Sequence, residues 1–195
     1  MQIAVVVGLG NPGSKYTASR HNVGFRVVEE LGRRLRVRLW LPRFHSRVAH
    51  RRGGNSLWLV KPSTYMNLSG VAVAAACRAL KVAVEQCLVV SDDVELPLGT
   101  LRLRARGGAG AHNGLRSIVD AVGEGFPRLR VGIGVAEPGA KLADFVLAPF
   151  EVGEREVVDE AVRRAADCIE LALHSGIDRA ASSYNAAPER ESRGQ

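Results

Sequence analysis

Hydrophobic positions follow two rhythms along this 195-residue chain. An unbroken apolar run from Ile3 to Val7, closed by Gly8, predicts a strand buried on both faces. From His21 to Leu35 the spacing changes, and Val23, Val27, Val28, Leu31 and Leu35 fall on one helical stripe. Two short runs, Ser46 to His50 and Ser56 to Val60, read as strands joined at Gly53-Gly54. A small-residue helix is expected over Leu68 to Leu80. A short strand follows from Gln86 to Val90, ending in Asp92-Asp93, and an alternating strand from Gly99 to Arg104. The glycine loop Gly107 to Gly110 precedes a helix from Gly114 to Val122, and Leu129 to Val135 returns as a strand. The last long pattern, Glu154 to His174, is a helix with Val157, Val158, Ala161, Ala165, Cys168, Ile169 and Ala172 inward.

Interleaved strands and helices predict an α/β fold: one domain over 1–187, a three-layer sandwich with a mixed, largely parallel central sheet flanked by helices. The polar residues 188–195 are expected to fray. No apolar stretch is long enough to span a bilayer, and the first strand lacks the basic flank of a secretory signal. Three cysteines without CxxC spacing argue against a disulfide framework or a zinc site, which points to the cell interior.

Charge narrows the choice of partner. The formal net charge is +7, unevenly spread: residues 1–119 carry 18 Lys and Arg against 6 acids, and residues 120–195 carry 9 against 14. Between Leu31 and Val84 there is no acid at all. A one-sided basic surface attracts polyanions by releasing their counterions, whereas the bland alternative is a solvated arginine-rich face. With only 5% aromatic residues, phosphate contact is a better expectation than base stacking.

Candidate chemistry gathers at the ends of the first and fourth predicted strands. Gly8-Leu9-Gly10-Asn11-Pro12-Gly13 matches G-x-G-x-x-G, but a dinucleotide site needs a helix starting inside the glycine run, and here an irregular loop intervenes. The glycines are expected instead to let the chain turn and to hold Asn11 at the strand end. His21 is a candidate general base, and Asp92, at the carboxyl end of an interior strand, a candidate to orient it. Asp93 and Glu95 are expected to be solvated or to cap a turn. His21-Asn22 and His112-Asn113 repeat a His-Asn pair at two helix starts, where asparagine as N-cap is the simplest role. Asn67 and Asn113 offer amides suited to a peptide backbone or a water molecule. Scattered histidines give no metal-ligand spacing, and no G-x-S-x-G elbow is present.

Five ordered motifs then carry a resemblance: V-G-L-G-N-P-G with R-H-N-V-G-F, P-S-T-Y-M-N-L-S-G, S-D-D-V-E-L-P-L-G, G-G-A-G-A-H-N-G-L and P-R-L-R-V-G-I-G. Spanning Met1 to about Ile177, they resemble the bacterial-type peptidyl-tRNA hydrolases. The resemblance implies a monomeric cytoplasmic α/β enzyme without metal or cofactor. Such an enzyme hydrolyses the ester between a peptide and the terminal ribose of tRNA, and so recycles peptidyl-tRNA released by stalled ribosomes. It implies His21 as base, Asp92 as its orienting carboxylate, and Asn11 and Asn113 as catalytic amides. Tyr16, Met66, Asn67, His112 and Asn113 would line the substrate cleft, and Arg104 and Arg130 would clamp a tRNA phosphate at the acceptor end. The chain departs from the family pattern at Ser19, Ser91 and Ala111. Two competing readings are an RNA-binding protein of the same fold without catalysis and a nucleotide-dependent oxidoreductase.

Overall fold

The computed structural model describes residues 2–54, 56–137 and 139–185; the tail expected over 188–195 lies outside them. In chain order the strands are β1 (Val5–Gly8), β2 (Leu41–Arg43), β3 (Ser46–Arg51), β4 (Leu57–Pro62), β5 (Cys87–Asp93), β6 (Leu101–Arg104) and β7 (Arg128–Gly132). The helices are α1 (Val23–Arg34), α2 (Ser69–Leu80), α3 (Asn113–Val122), α4 (Leu142–Leu147), α5 (Arg155–Ser175) and α6 (Ile177–Tyr184).

One sheet runs in the order β2-β3-β4-β1-β5-β7-β6. Its centre, β4-β1-β5-β7, is parallel, while β2, β3 and β6 add antiparallel edges. The strand period of two sends alternate residues to two cores. Val6, Leu88 and Val90 pack with α1 and α5; Val5, Val7, Cys87 and Val89 pack with α2 and α3. This is the three-layer sandwich expected from the pattern. It brings the carboxyl ends of β1, β4 and β5 to one rim, where open α/β sheets hold their ligands.

Close backbone approach fixes how α1 meets that rim. A Cβ at Gly8 would lie 2.1 Å from the Gly24 carbonyl oxygen, and one at Gly24 would lie 2.6 Å from the Leu9 nitrogen. A Cβ at Gly10 would enter the Phe25 ring. The glycines after β1 therefore serve helix-to-strand contact; within the run only Gly13 has a positive φ, of 102°. The expectation of a sharp turn at Gly8 and Gly10 is corrected accordingly.

Elements that the sequence pattern did not announce are β2, α4 and α6. Val157, expected inward on α5, is exposed, and Val162 takes an inward place instead. The edge strand β6 is blunted by Asn185, whose amide donates to the Leu103 carbonyl (3.0 Å) and accepts its N–H (2.6 Å). Among the described residues, no helix is long and apolar enough to cross a membrane.

Candidate active site

A short 3-10 turn, Arg20–Asn22, delivers His21 to the carboxyl end of β5. Its Nδ1 lies 2.7 Å from Asp92 Oδ1, with both side chains largely buried. An ionised carboxylate only accepts, so the proton sits on Nδ1 and Nε2 keeps its lone pair. No hydrogen bond engages that Nε2 among the described residues, and His21 lines a cavity of about 300 Å³. A base oriented by a buried carboxylate, beside an open space, is the arrangement that activates a water molecule.

Asp92 accepts a second imidazole. His112 Nε2 lies 2.9 Å from the same Oδ1. At its other nitrogen, Nδ1, His112 accepts the backbone N–H groups of Gly114 (3.0 Å) and Leu115 (3.1 Å) and so caps α3. Those two donors require a bare Nδ1, which places the proton on Nε2, facing Asp92. His112 is therefore the cap of α3 and the second support of Asp92; asparagine is not the cap at either His-Asn pair. Burial opposes the Asp92 charge, but electrostatic attraction and hydrogen bonding from His112, then from His21, outweigh it. They hold the carboxyl well below the usual carboxylate range.

Asn22 has different work. Its Oδ1 accepts the Asn11 N–H at 2.8 Å and its Nδ2 donates to the Asn11 carbonyl at 3.0 Å, with no cap bond to α1. Asn11 Oδ1 in turn accepts the Met66 N–H at 2.8 Å. These bonds fix the Asn11 amide and leave its Nδ2 as a donor without a hydrogen bond among the described residues. Sequence reasoning placed Asn11 at the site but missed Asn22 as its clamp. Its only signal was the asparagine next to His21.

Arg20 was also missed, although it is the neighbour of His21 and 5% exposed. It makes a bidentate pair with Glu154 (2.8 and 2.7 Å), donates to the Ile133 carbonyl (3.1 Å), and lies over the Phe145 and Phe150 rings. Its backbone N–H reaches the Ala148 carbonyl at 2.9 Å, beside a Ser19–Pro149 bridge. The His21 turn is thus bolted to α4, whose Leu142, Ala143 and Val146 form one wall of the cavity.

The cavity gathers His21, Asp92, His112, Asn113 and Arg130; Asn11, Tyr16, Met66, Asn67 and Arg104 lie outside its lining. Asn67 and Asn113 are exposed, and Tyr16 meets Tyr65 edge to face at 6.5 Å. Arg104 and Arg130 share a face of the β6–β7 pair, where Arg104 sits opposite Arg128. Arg130 spends Nη1 on Asp93 (3.1 Å) and Nη2 on the Gly108 carbonyl (2.9 Å). Asp93 is consequently buried rather than solvated, and it also caps a turn by accepting the Glu95 N–H at 2.8 Å. Ser91 is buried and leaves its hydroxyl without a partner among the described residues.

One nitrogen of each imidazole and one Asp92 oxygen lie within 4.8 Å of one another, close enough to suggest a metal site. Ligation would need both facing nitrogens bare, yet the His112 proton has no alternative seat while Nδ1 holds α3. Hydrogen bonding accounts for the cluster.

The family model for peptidyl-tRNA hydrolase matches residues 5–192. The chain belongs to this family. It is 45% identical over 183 residues to the peptidyl-tRNA hydrolase of Syntrophomonas wolfei, covering 93% of this chain and 99% of the relative. Its identity to that of Aquifex aeolicus is 43% over 178 residues, with 89% and 91% covered. The crystal structure of the Acinetobacter baumannii peptidyl-tRNA hydrolase superposes with a TM-score of 0.86 at 35% identity, over 94% and 95% of the two chains. The chain is accordingly an enzyme of the hydrolase class. Membership counts against both the non-catalytic and the oxidoreductase readings.

Proposed function

We propose that the protein cleaves the ester between a peptide and the terminal ribose of tRNA, with His21 as general base toward water. One observation carries the reading: the 2.7 Å His21–Asp92 bond, which leaves Nε2 bare beside the cavity. Water gives a proton to Nε2 as its oxygen attacks the ester carbonyl carbon. Asp92 stabilises the imidazolium that forms, and His112 keeps Asp92 charged and in place. The unused Asn11 Nδ2 is a donor for the tetrahedral oxyanion, and Asn113, at the cavity wall, a donor and acceptor for the substrate's peptide backbone. Collapse of the intermediate breaks the bond to the ribose oxygen, which takes the proton back from His21. The products are a tRNA hydroxyl and a peptide carboxylic acid, which gives its proton to solvent water.

Tyr16, Met66 and Asn67 extend the cleft beyond the cavity, and Arg104 with the exposed part of Arg130 meets phosphate at the acceptor end. The scheme calls on no metal and no cofactor, runs in a monomer, and belongs in the cytoplasm, where peptidyl-tRNA arises. Purified protein is expected to hydrolyse N-acetyl-aminoacyl-tRNA, and Arg104→Ala to weaken tRNA binding while sparing a minimal peptidyl-adenosine ester. Failure of the wild type to release the N-acetyl amino acid would reject the assignment.

A further inference from the structure

Two sets of cations stand apart in the acid-free stretch between Leu31 and Val84, which also holds Arg47, Arg51, Arg78 and Lys81. Arg33 pairs with Glu30; Arg34 with Glu30, Asp167 and Glu170; Lys61 with Glu29. Arg33 is thus paired within α1, and Arg34 and Lys61 are consumed in holding α1 to α5 and β4. The second set, Arg36, Arg38, Arg43 and Arg52, lines one groove of about 590 Å³ at the β2 edge of the sheet. No carboxylate is among the residues that line it.

The groove floor is firm. His50 and Trp58 stack at 4.0 Å with their planes 6° apart, and His50 Nε2 meets Ser56 Oγ at 2.7 Å. Burial and then the Arg52 charge push the His50 imidazole below its ordinary value. Planar guanidinium forks match phosphate oxygens in pairs. The four of the second set, spread around a space this large, exceed what a single phosphate can engage. Single-stranded nucleic acid needs a succession of open aromatic faces, which one stacked His–Trp pair does not supply. A duplex backbone, read by shape and phosphate spacing, fits better.

Location separates this groove from the catalytic end. The arginines Arg104 and Arg130 lie on β6 and β7, whereas the groove lies on β2 and β3. Four strand spacings separate β3 from β7, about 19 Å at ~4.8 Å each, with β2 and β6 further out on opposite edges. An acceptor stem that leaves the cleft over β7 and β6 moves away from it. We propose that the β2-edge groove docks the phosphate backbone of a second RNA helix, distinct from the tRNA acceptor arm held at the cleft. The proposal takes only the position of the acceptor arm from the function inferred above.

The test uses the full chain, the triple variant Arg38→Ala/Arg43→Ala/Arg52→Ala, and Arg104→Ala. All three triple-variant positions are exposed. The probe is a blunt 16-base-pair RNA duplex without a 3′ acyl group, titrated across a salt series. The triple variant is expected to bind the duplex at least tenfold more weakly, with the log–log salt slope reduced by about 0.9 per lost phosphate contact. Its turnover of N-acetyl-aminoacyl-tRNA should stay within twofold of wild type, which also shows that it folds. Arg104→Ala should leave duplex binding unchanged. Unaltered duplex binding by the triple variant would overturn the proposal. So would a parallel loss of tRNA turnover, which would make the groove part of the substrate site, or a loss confined to anionic phosphatidylserine vesicles. A wild type inactive on tRNA but binding the duplex through these arginines would reject the hydrolase assignment and leave the groove standing.

Discussion

His21-Asn22 and His112-Asn113 are the same dipeptide at two helix starts, put to opposite uses. In the first pair the histidine turns Nδ1 to Asp92 and leaves Nε2 bare at the cavity, while the asparagine locks the backbone of Asn11. In the second the ring is reversed: Nδ1 holds the start of α3, Nε2–H supports Asp92, and the asparagine is exposed at the cavity wall. Two imidazoles share one carboxylate oxygen, yet only one has a lone pair to offer. The difference lies in what occupies the far nitrogen. A residue's chemistry here is decided by the hydrogen bond on its other side.

Substitutions can break this contrast in order of severity. His21→Ala removes the only free lone pair and should lower kcat by about 10²–10⁴-fold with KM little changed. Retained turnover in a single-turnover ester assay would end the scheme. Asp92→Asn leaves both rings in place but offers an amide where they need an acceptor, so a loss on the order of 10²-fold is expected. His112→Ala should cost about tenfold in rate and about 1 kcal/mol in urea stability, because it removes a support of Asp92 and a helix cap together. His112→Asn sharpens the point, since asparagine is a good cap: stability should recover while the rate does not. Recovery of both would mean that His112 acts only through α3.

The smallest effect is on pH dependence. The folded Asp92 carboxyl lies below its ordinary value of 3.8, although burial opposes its charge. The two imidazole contacts therefore stabilise the fold above that value, and their contribution is lost as pH falls toward the lowered folded value. Urea unfolding between pH 5 and pH 2 should show a flatter acid limb for Asp92→Asn than for wild type. An equally steep limb would place the acid sensitivity elsewhere.

Much of this arrangement was legible in the residues. Ile3 to Gly8 and the stripe from Val23 to Leu31 announced a buried strand and the helix packed on it, because a parallel strand is apolar throughout and a covered helix is apolar on one side. Asp92 could be paired with His21 because parallel strands gather their carboxyl ends. The orientation of His112 was not legible, since periodicity says nothing of which ring nitrogen meets a helix start. Nor was Arg20, whose partners Ile133, Phe145, Phe150 and Glu154 are more than a hundred positions away. The short α4 and β2 carry too few residues for a period to emerge. The arginines of the acid-free stretch looked alike in sequence, and the fold sets Arg33 and Arg34 apart by pairing them with Glu30 of α1 and, for Arg34, with Asp167 and Glu170 of α5.

The central claim is that these two histidines hold their protons on opposite nitrogens. Imidazole ¹⁵N NMR of the wild-type enzyme, with the ring signals assigned by His21→Ala and His112→Ala, tests it directly at a pH where both rings are neutral. The account predicts His21 as the Nδ1–H tautomer with a bare Nε2, and His112 as the Nε2–H tautomer. The same tautomer at both positions, or the reverse assignment, would contradict it.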